Sequence, residues 1–295
     1  MRVTHRMMAE SVSQNLRLNL YRLDRLSNQL ASGKVFTKPS QNPVGVSRSM
    51  LYKTALNRNE QYRLNTNEAR GWLSTTHDAL MKGLEVLQRL RELSVAAANG
   101  TYSDTERSSI ASEAVQLKEH LLALANTQHN ELYIFGGHRT LEPPYAYNEE
   151  GQLEYRGDLG HRVQEVGTFQ QVVMNLNGQE AFGGVEVFEA VEQICQALLE
   201  DDSETLSGEA LEKIDRGIDL FLQRLADVGA RQLRVETMYD TLFEQSIYLK
   251  QMLSELEDID YAETITEFQM QENAYRAALA TAARMMQPSL VDYLS

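Results

Sequence analysis

Apolar residues recur at coiled-coil spacing at both ends of this chain. Near the N-terminus Leu16, Leu20, Leu23 and Leu30 follow a 4-3-4-3 rhythm, with Ser27 in the remaining position. That spacing predicts a helix over about 9–31. Leu16, Leu18 and Leu20 also alternate as a strand would. The leucines continue at helical spacing, however, and residues 16–30 include no β-branched side chain, so helix is the better reading. Gly33 ends it, and the loop 32–43 carries two of the five prolines.

Toward the C-terminus the pattern is longer. From Ile214 to Leu256 heptad spacing holds for about six heptads. Phe221, Val228, Val235, Leu242 and Leu249 are among its core positions, and Gln232 and Ser246 are its polar ones. Polar core residues fix register. The phase breaks at Asp258-Ile259-Asp260. It restarts as Ile265, Phe268, Glu272, Tyr275, Leu279, Ala282 and Met286, and Pro288 closes that helix.

Between these ends lie further elements. Asn42-Pro43 is a helix start, with Asn as N-cap and Pro at the first helical position. That helix can run to Asn99-Gly100, weakened locally by Gly71 and Gly83. Ser103 followed by Glu106 has capping-box spacing and opens a helix with Ile110, Ala114, Leu117, Leu121 and Leu124 on one face. Residues 136–184 then hold nine of the seventeen glycines, together with Pro143 and Pro144. Short β-type runs, Leu132 to Phe135 and Gln170 to Leu176, mark a small β-rich insert. Helix resumes near Val187.

The expected fold is mainly α with a small β-rich insert. Three parts are expected: terminal helices pairing over 1–43 and 258–295, a helical rod over 44–135 and 185–257, and an insert over 136–184. A helix over 211–257 is roughly 70 Å long, whereas a globule of this length is about 50 Å across. The expected shape is therefore an elongated rod built of long α-hairpins. The insert is the part least tied to the heptad scaffold, so a Gly/Ser linker in place of 138–183 is expected to leave helical content intact.

Charge supports the pairing of the ends. Residues 1–70 carry a net +8 and residues 236–295 a net −8, and the last 66 residues contain no glycine. Opposite charges on two amphipathic helices favour their association. The stripe Leu16, Leu20, Leu23, Leu30 is expected to pack against Ile265, Phe268, Tyr275, Leu279 and Met286, with Arg17, Arg22 and Arg25 near Glu263, Glu267 or Glu272. These apolar residues are the candidate assembly interface.

Candidate chemistry is sparse. The net charge of −14 argues against nucleic acid as partner. No apolar stretch approaches the 18 or so residues of a membrane span. The first residues lack the apolar region of a secretory signal peptide. The single cysteine, Cys195, lies in an apolar helical stretch and reads as a packed side chain. Six histidines show no ligand spacing, and no phosphate-binding glycine motif is present. The run Glu200-Asp201-Asp202 with Glu204 lacks calcium-loop spacing and reads as a solvated connector. No catalytic, cofactor or metal residue is assigned.

Particular residues carry a resemblance. Leu30-Ala31-Ser32-Gly33-Lys34, continuing through Lys38-Pro39-Ser40-Gln41-Asn42-Pro43-Val44-Gly45, resembles the N-terminal signature of the bacterial flagellin superfamily, SSGKRI…PSDDPVG. Gln269 to Leu279, with Gln287-Pro288-Ser289-Leu290-Val291-Asp292-Tyr293-Leu294, is similar to its hook-associated protein 3 branch. Tyr133-Ile134-Phe135-Gly136-Gly137 and Pro143-Pro144-Tyr145 are similar to that branch's entry into its β domain. Val35-Phe36-Thr37 and Gln41-Asn42 depart from the pattern.

The resemblance implies a structural part of the bacterial flagellum, outside the cell, joining hook to filament. It implies hook-associated protein 1 on the hook side, flagellin on the filament side, and further copies around the axis. Export would run through the flagellar type III apparatus, with a chaperone on the C-terminal helix. No cofactor is implied. A flagellin filament subunit and a cytoplasmic coiled-coil adaptor remain as alternatives.

Overall fold

The computed structural model describes residues 5–98, 104–200, 205–206 and 208–285. Among these residues the chain forms α1 (His5–Ser32), α2 (Pro43–Ala98) and α3 (Asp104–Ala125). Three short hairpins follow. These are β1 (Gln128–His129) with β2 (Leu132–Tyr133), β3 (Tyr145–Tyr147) with β4 (Leu153–Tyr155), and β5 (Val163–Gly167) with β6 (Gln170–Val173). Helices return as α4 (Gly178–Phe182), α5 (Glu186–Glu200), α6 (Glu209–Glu257) and α7 (Tyr261–Met285). The fold is mainly α with a small β-rich middle, as the pattern predicts. Asn99-Gly100, Ser103, Asp201-Asp202 with Glu204, Met286 and Pro288 lie outside the described residues.

Local chemistry sets the boundaries. Asn42 caps α2, its Oδ1 accepting from the Gly45 amide at 2.9 Å. Gly33 ends α1 with φ 69°, the left-handed region that glycine enters without a Cβ penalty. The heptad positions from Ile214 to Leu256 all turn inward, and Ile214, Phe221, Val228 and Val235 are fully buried.

Contacts group the chain into two compact units, Met1–Arg58 with Ser246–Ser295, and Asn59–Gln245. The second unit holds residues of the expected rod and of the expected insert together. The β-rich residues share one core with the helices. Tyr145, Val166, Val172, Met174 and Phe182 are buried in the same cluster as Leu80, Leu87, Leu121, Ile194 and Phe221 of the helices. Phe182 is the centre of an aromatic knot, with ring centroids 5.1 Å from Phe135, 5.5 Å from Tyr145, 5.4 Å from Phe188 and 5.3 Å from Phe221. The Tyr145 hydroxyl lies 3.0 Å from the carbonyls of both Gly178 and Gly184, and burial pushes its pKa up. A linker in place of 138–183 would strip Tyr145, Val166, Val172, Met174 and Phe182 from this core.

Gly83 also proves to be more than a weak point in α2. A Cβ there would sit 2.5 Å from Cε1 of Phe221. The missing side chain lets the α6 ring press against the α2 backbone. The only tryptophan, Trp72, is buried beneath the Arg162 guanidinium at 4.4 Å, with the centroid of the His129 ring 5.8 Å from its own.

Two substitutions test this shared core. Phe182→Ala should cost about 3–5 kcal/mol in denaturant unfolding, the cost of emptying a packed aromatic site, whereas a residue of a detached insert would cost little. Gly83→Ala should also destabilise. Overpacking costs about 1–3 kcal/mol and outweighs the roughly 1 kcal/mol gained in helix propensity. Unchanged unfolding midpoints for both would refute the shared core.

Candidate assembly site on the terminal helices

Within the first unit α1 and α7 pack antiparallel along their length. Burial defines the seam. On α1 the residues shielded from water include Val12, Leu16, Asn19, Leu23, Leu26 and Leu30; on α7 they include Thr264, Phe268, Gln271, Tyr275, Ala278 and Ala282. Both sets run 4-3-4-3-4, a coiled-coil period. Midway along, Gln271 Nε2 donates toward Asn19, 3.3 Å from Oδ1 and 3.5 Å from the backbone oxygen.

The expected residues divide between seam and surface. Leu16, Leu23, Leu30, Phe268 and Tyr275 line the seam. Leu20, Ile265 and Leu279 do not: they are 53%, 44% and 43% exposed. Met286 lies outside the described residues. Asn19, Leu26, Thr264, Gln271 and Ala278 take the positions that the leucine rhythm would give to their neighbours. The period was legible, but a rotation of about 40° on each helix was not, because a polar pair holds one rung.

Two grooves flank the seam. Leu20, Tyr21, Leu23 and Ser27 line one with Phe268 and Glu272. Leu26 and Gln29, with Arg22 and Arg25, line the other opposite Glu267, Met270 and Ala274. The opposite charges thus share the groove walls. Among the described residues, no ion pair joins Arg17, Arg22 or Arg25 to Glu263, Glu267 or Glu272. Glu272 pairs instead with Arg276 of its own helix at 2.5 Å.

The base of the pair is fastened by groups that the periodicity did not reveal. Val35 N donates to the Glu257 carbonyl at 2.6 Å, and Ile259 N to the Gly33 carbonyl at 3.2 Å. The Glu257 side chain is buried and accepts from Ser49 Oγ and from Lys53 Nζ, the latter at 2.5 Å. Lys34 Nζ reaches Glu257 at 3.2 Å and Asp258 at 2.6 Å. Burial opposes ionisation of Glu257, but hydrogen bonds from Lys53, Ser49 and Lys34 outweigh it and hold its pKa below the ordinary value. Hydrogen bonds from Lys34 and then Ser254 lower the pKa of Asp258 as well, and the Asp258 bond raises that of Lys34.

Elsewhere Cys195 is buried, and burial pushes its thiol up to about 11. Among the described residues no cluster of His, Cys, Asp and Glu is arranged to hold a metal. None of their helices is long and apolar enough to cross a membrane.

Paired terminal helices, with a helical and β-rich stretch between them in sequence, define a flagellin-like subunit. The chain belongs to the bacterial flagellin family. The flagellin N-terminal helical region matches residues 3–140 and the C-terminal helical region matches residues 211–294. Flagellar hook-associated protein 3 of Escherichia coli is 28% identical, with 86% of this chain and 87% of that protein aligned. The Salmonella typhimurium protein of the same name is 25% identical over 98% of both. The flagellins of Bacillus subtilis and Halalkalibacterium halodurans align over 97% and 98% of this chain at 23% and 22% identity. A solved structure of a flagellar hook-associated protein from Vibrio parahaemolyticus superposes with a TM-score of 0.68. It covers 74% of this chain and all of its own, at 19% identity, and so supports the fold.

Acid should loosen the fastening. The pKa values of Glu257 and Asp258 are depressed below their ordinary 4.5 and 3.8. Their contribution is complete above those values and is lost as pH falls through the depressed ones. Glu257→Gln should cost about 1–3 kcal/mol at pH 7, and its deficit against wild type should narrow toward pH 3. Parallel stability curves across that range would contradict this account.

Proposed function

We propose that this protein is a structural subunit of the flagellum that joins the hook to the filament. Its likeness to hook-associated protein 3 along nearly the whole chain supports this reading over that of a filament subunit. The observation that carries the mechanism is the apolar surface left beside a completed seam. Leu20, Tyr21, Ile265 and Leu279 stand in water although Leu16, Leu23, Phe268 and Tyr275 already close the pair. Fully burying such a side chain is worth about 1.5–3 kcal/mol, so covering this flank with a neighbouring subunit drives assembly.

In this reading Leu16, Leu23, Leu30, Phe268 and Tyr275 hold the subunit's own helices together. Leu20, Ile265 and Leu279 face the neighbours. Those neighbours are further copies around the axis, hook-associated protein 1 on one side and flagellin on the other. The chain leaves the cell through the flagellar export apparatus without a cleaved signal, guarded by a chaperone on its C-terminal helix. Its role is mechanical, with no catalytic step.

The test separates the two faces. A strain lacking the protein should show intact hooks by electron microscopy, no filaments, and flagellin in the medium. Leu20→Asp and Leu279→Asp should be secreted at wild-type levels yet be missing from isolated flagella. Surface substitutions of this kind usually change stability by no more than about 0.5 kcal/mol, so their free monomers should melt like wild type. Leu23→Asp should destabilise the monomer as well. Full-length filaments supported by Leu279→Asp would end this reading.

A further inference from the structure

The hairpin β5–β6 is held firmly at its base. Val166, Val172 and Met174 are buried, and Met174 N donates to the Arg162 carbonyl at 3.0 Å. Asn65 Nδ2 of α2 donates to the Glu165 carbonyl at 2.7 Å, and Arg234 Nη2 of α6 to the Gln171 carbonyl at 3.4 Å. A side chain from each long helix therefore clamps one strand. Gly167 pairs with Gln170, which leaves Thr168 and Phe169 as the turn.

Phe169 is anomalous there in two independent ways. Its φ is 61°, a left-handed conformation that a bulky side chain rarely adopts and that turns normally assign to Gly or Asn. It is also 102% exposed, so no contact within the chain repays that strain. A rigid turn that holds an aromatic ring out in water has the geometry of an interface anchor, preorganised and rich in contact area.

The same unit carries a recess suited to a ring. It is an open recess of about 700 Å³ with mostly polar walls, in which Arg70 and His129 offer stacking groups beside Leu64 and Gly71. Guanidinium and aromatic groups both stack on aromatic faces. Arg70 already does so, lying 5.0 Å over the Tyr239 ring. Glycine at 71 lets the His129 ring settle against α2 in this wall; a Cβ there would meet the ring at 3.2 Å.

We propose that Phe169 of one copy enters this recess on a second copy of the chain. The contact is separate from the terminal helices and rests on the reading that copies assemble in the flagellum. Anchor and recess are different patches of one surface, and mating of unlike patches extends from copy to copy into a ring or helical row.

The test places a photo-reactive benzoylphenylalanine at position 169 of the full chain and illuminates isolated flagella. The expected product is a chain-to-chain adduct whose cross-linked peptide falls within 64–74 or 128–130. An adduct with a different flagellar protein, an adduct elsewhere on this chain, or none overturns the proposal. Phe169→Gly gives an independent arm. It relieves the turn, so the monomer should melt no lower than wild type. Its amount in flagella should fall at least tenfold with secretion unchanged, and Phe169→Tyr should restore it. Incorporation of Phe169→Gly at the wild-type level also overturns the proposal. Absence of the wild-type chain from flagella would instead defeat the junction reading itself.

Discussion

The carboxylate of Glu257 stays buried and charged only because Ser49, Lys53 and Lys34 converge on it. A buried anion without such partners would protonate or draw in water. The donors come from two stretches: Lys34 from the loop after α1, and Ser49 and Lys53 from the early turns of α2. The acceptor is the last residue of α6. One charge therefore ties the exit of the first helix to the entry of the last. The two backbone bonds through Val35 and Ile259 then run as a short antiparallel bridge beside it. The antiparallel pairing of α1 and α7 starts from this fastening, and so does the face that each helix turns outward.

The seam above the fastening is lean. On α7 only Phe268 and Tyr275 are large; Thr264, Gln271, Ala278 and Ala282 are small or polar. A 28-residue and a 25-residue helix joined by so few large side chains gain limited stability from each other. The apolar area missing from the seam is present one position away, at Ile265 and Leu279, and on α1 at Leu20. The sequence thus encodes two overlapping stripes, one for the subunit and one for its surroundings.

That overlap explains what could be read in advance and what could not. Heptad spacing located α1, α6 and α7, and Asn42-Pro43 located the start of α2, because period and capping are local. Alternate rungs of the seam were also legible, since Leu16, Leu23, Leu30, Phe268 and Tyr275 belong to both stripes. The rungs between them depend on Asn19 meeting Gln271, 252 residues apart. Counting apolar residues favours Leu20 there. The aromatic knot around Phe182 was invisible for a related reason: its rings come from a β-rich stretch and from two helices. Glycine content marked that stretch as an insert, although its alternate side chains complete a core. Gly83 looked like a defect until Phe221 was placed against it.

Trp72, sealed beneath Arg162 and beside His129, gives the molecule a built-in optical reporter. It is the chain's only indole, so fluorescence excited at its red edge originates from a single point in the second unit. A change in that emission reports on α2, the β1–β2 hairpin and the start of β5 together. The first unit is silent at that wavelength. Helical circular dichroism sums over both units, so any loss of it that the indole emission does not accompany reports the first unit, without any added label.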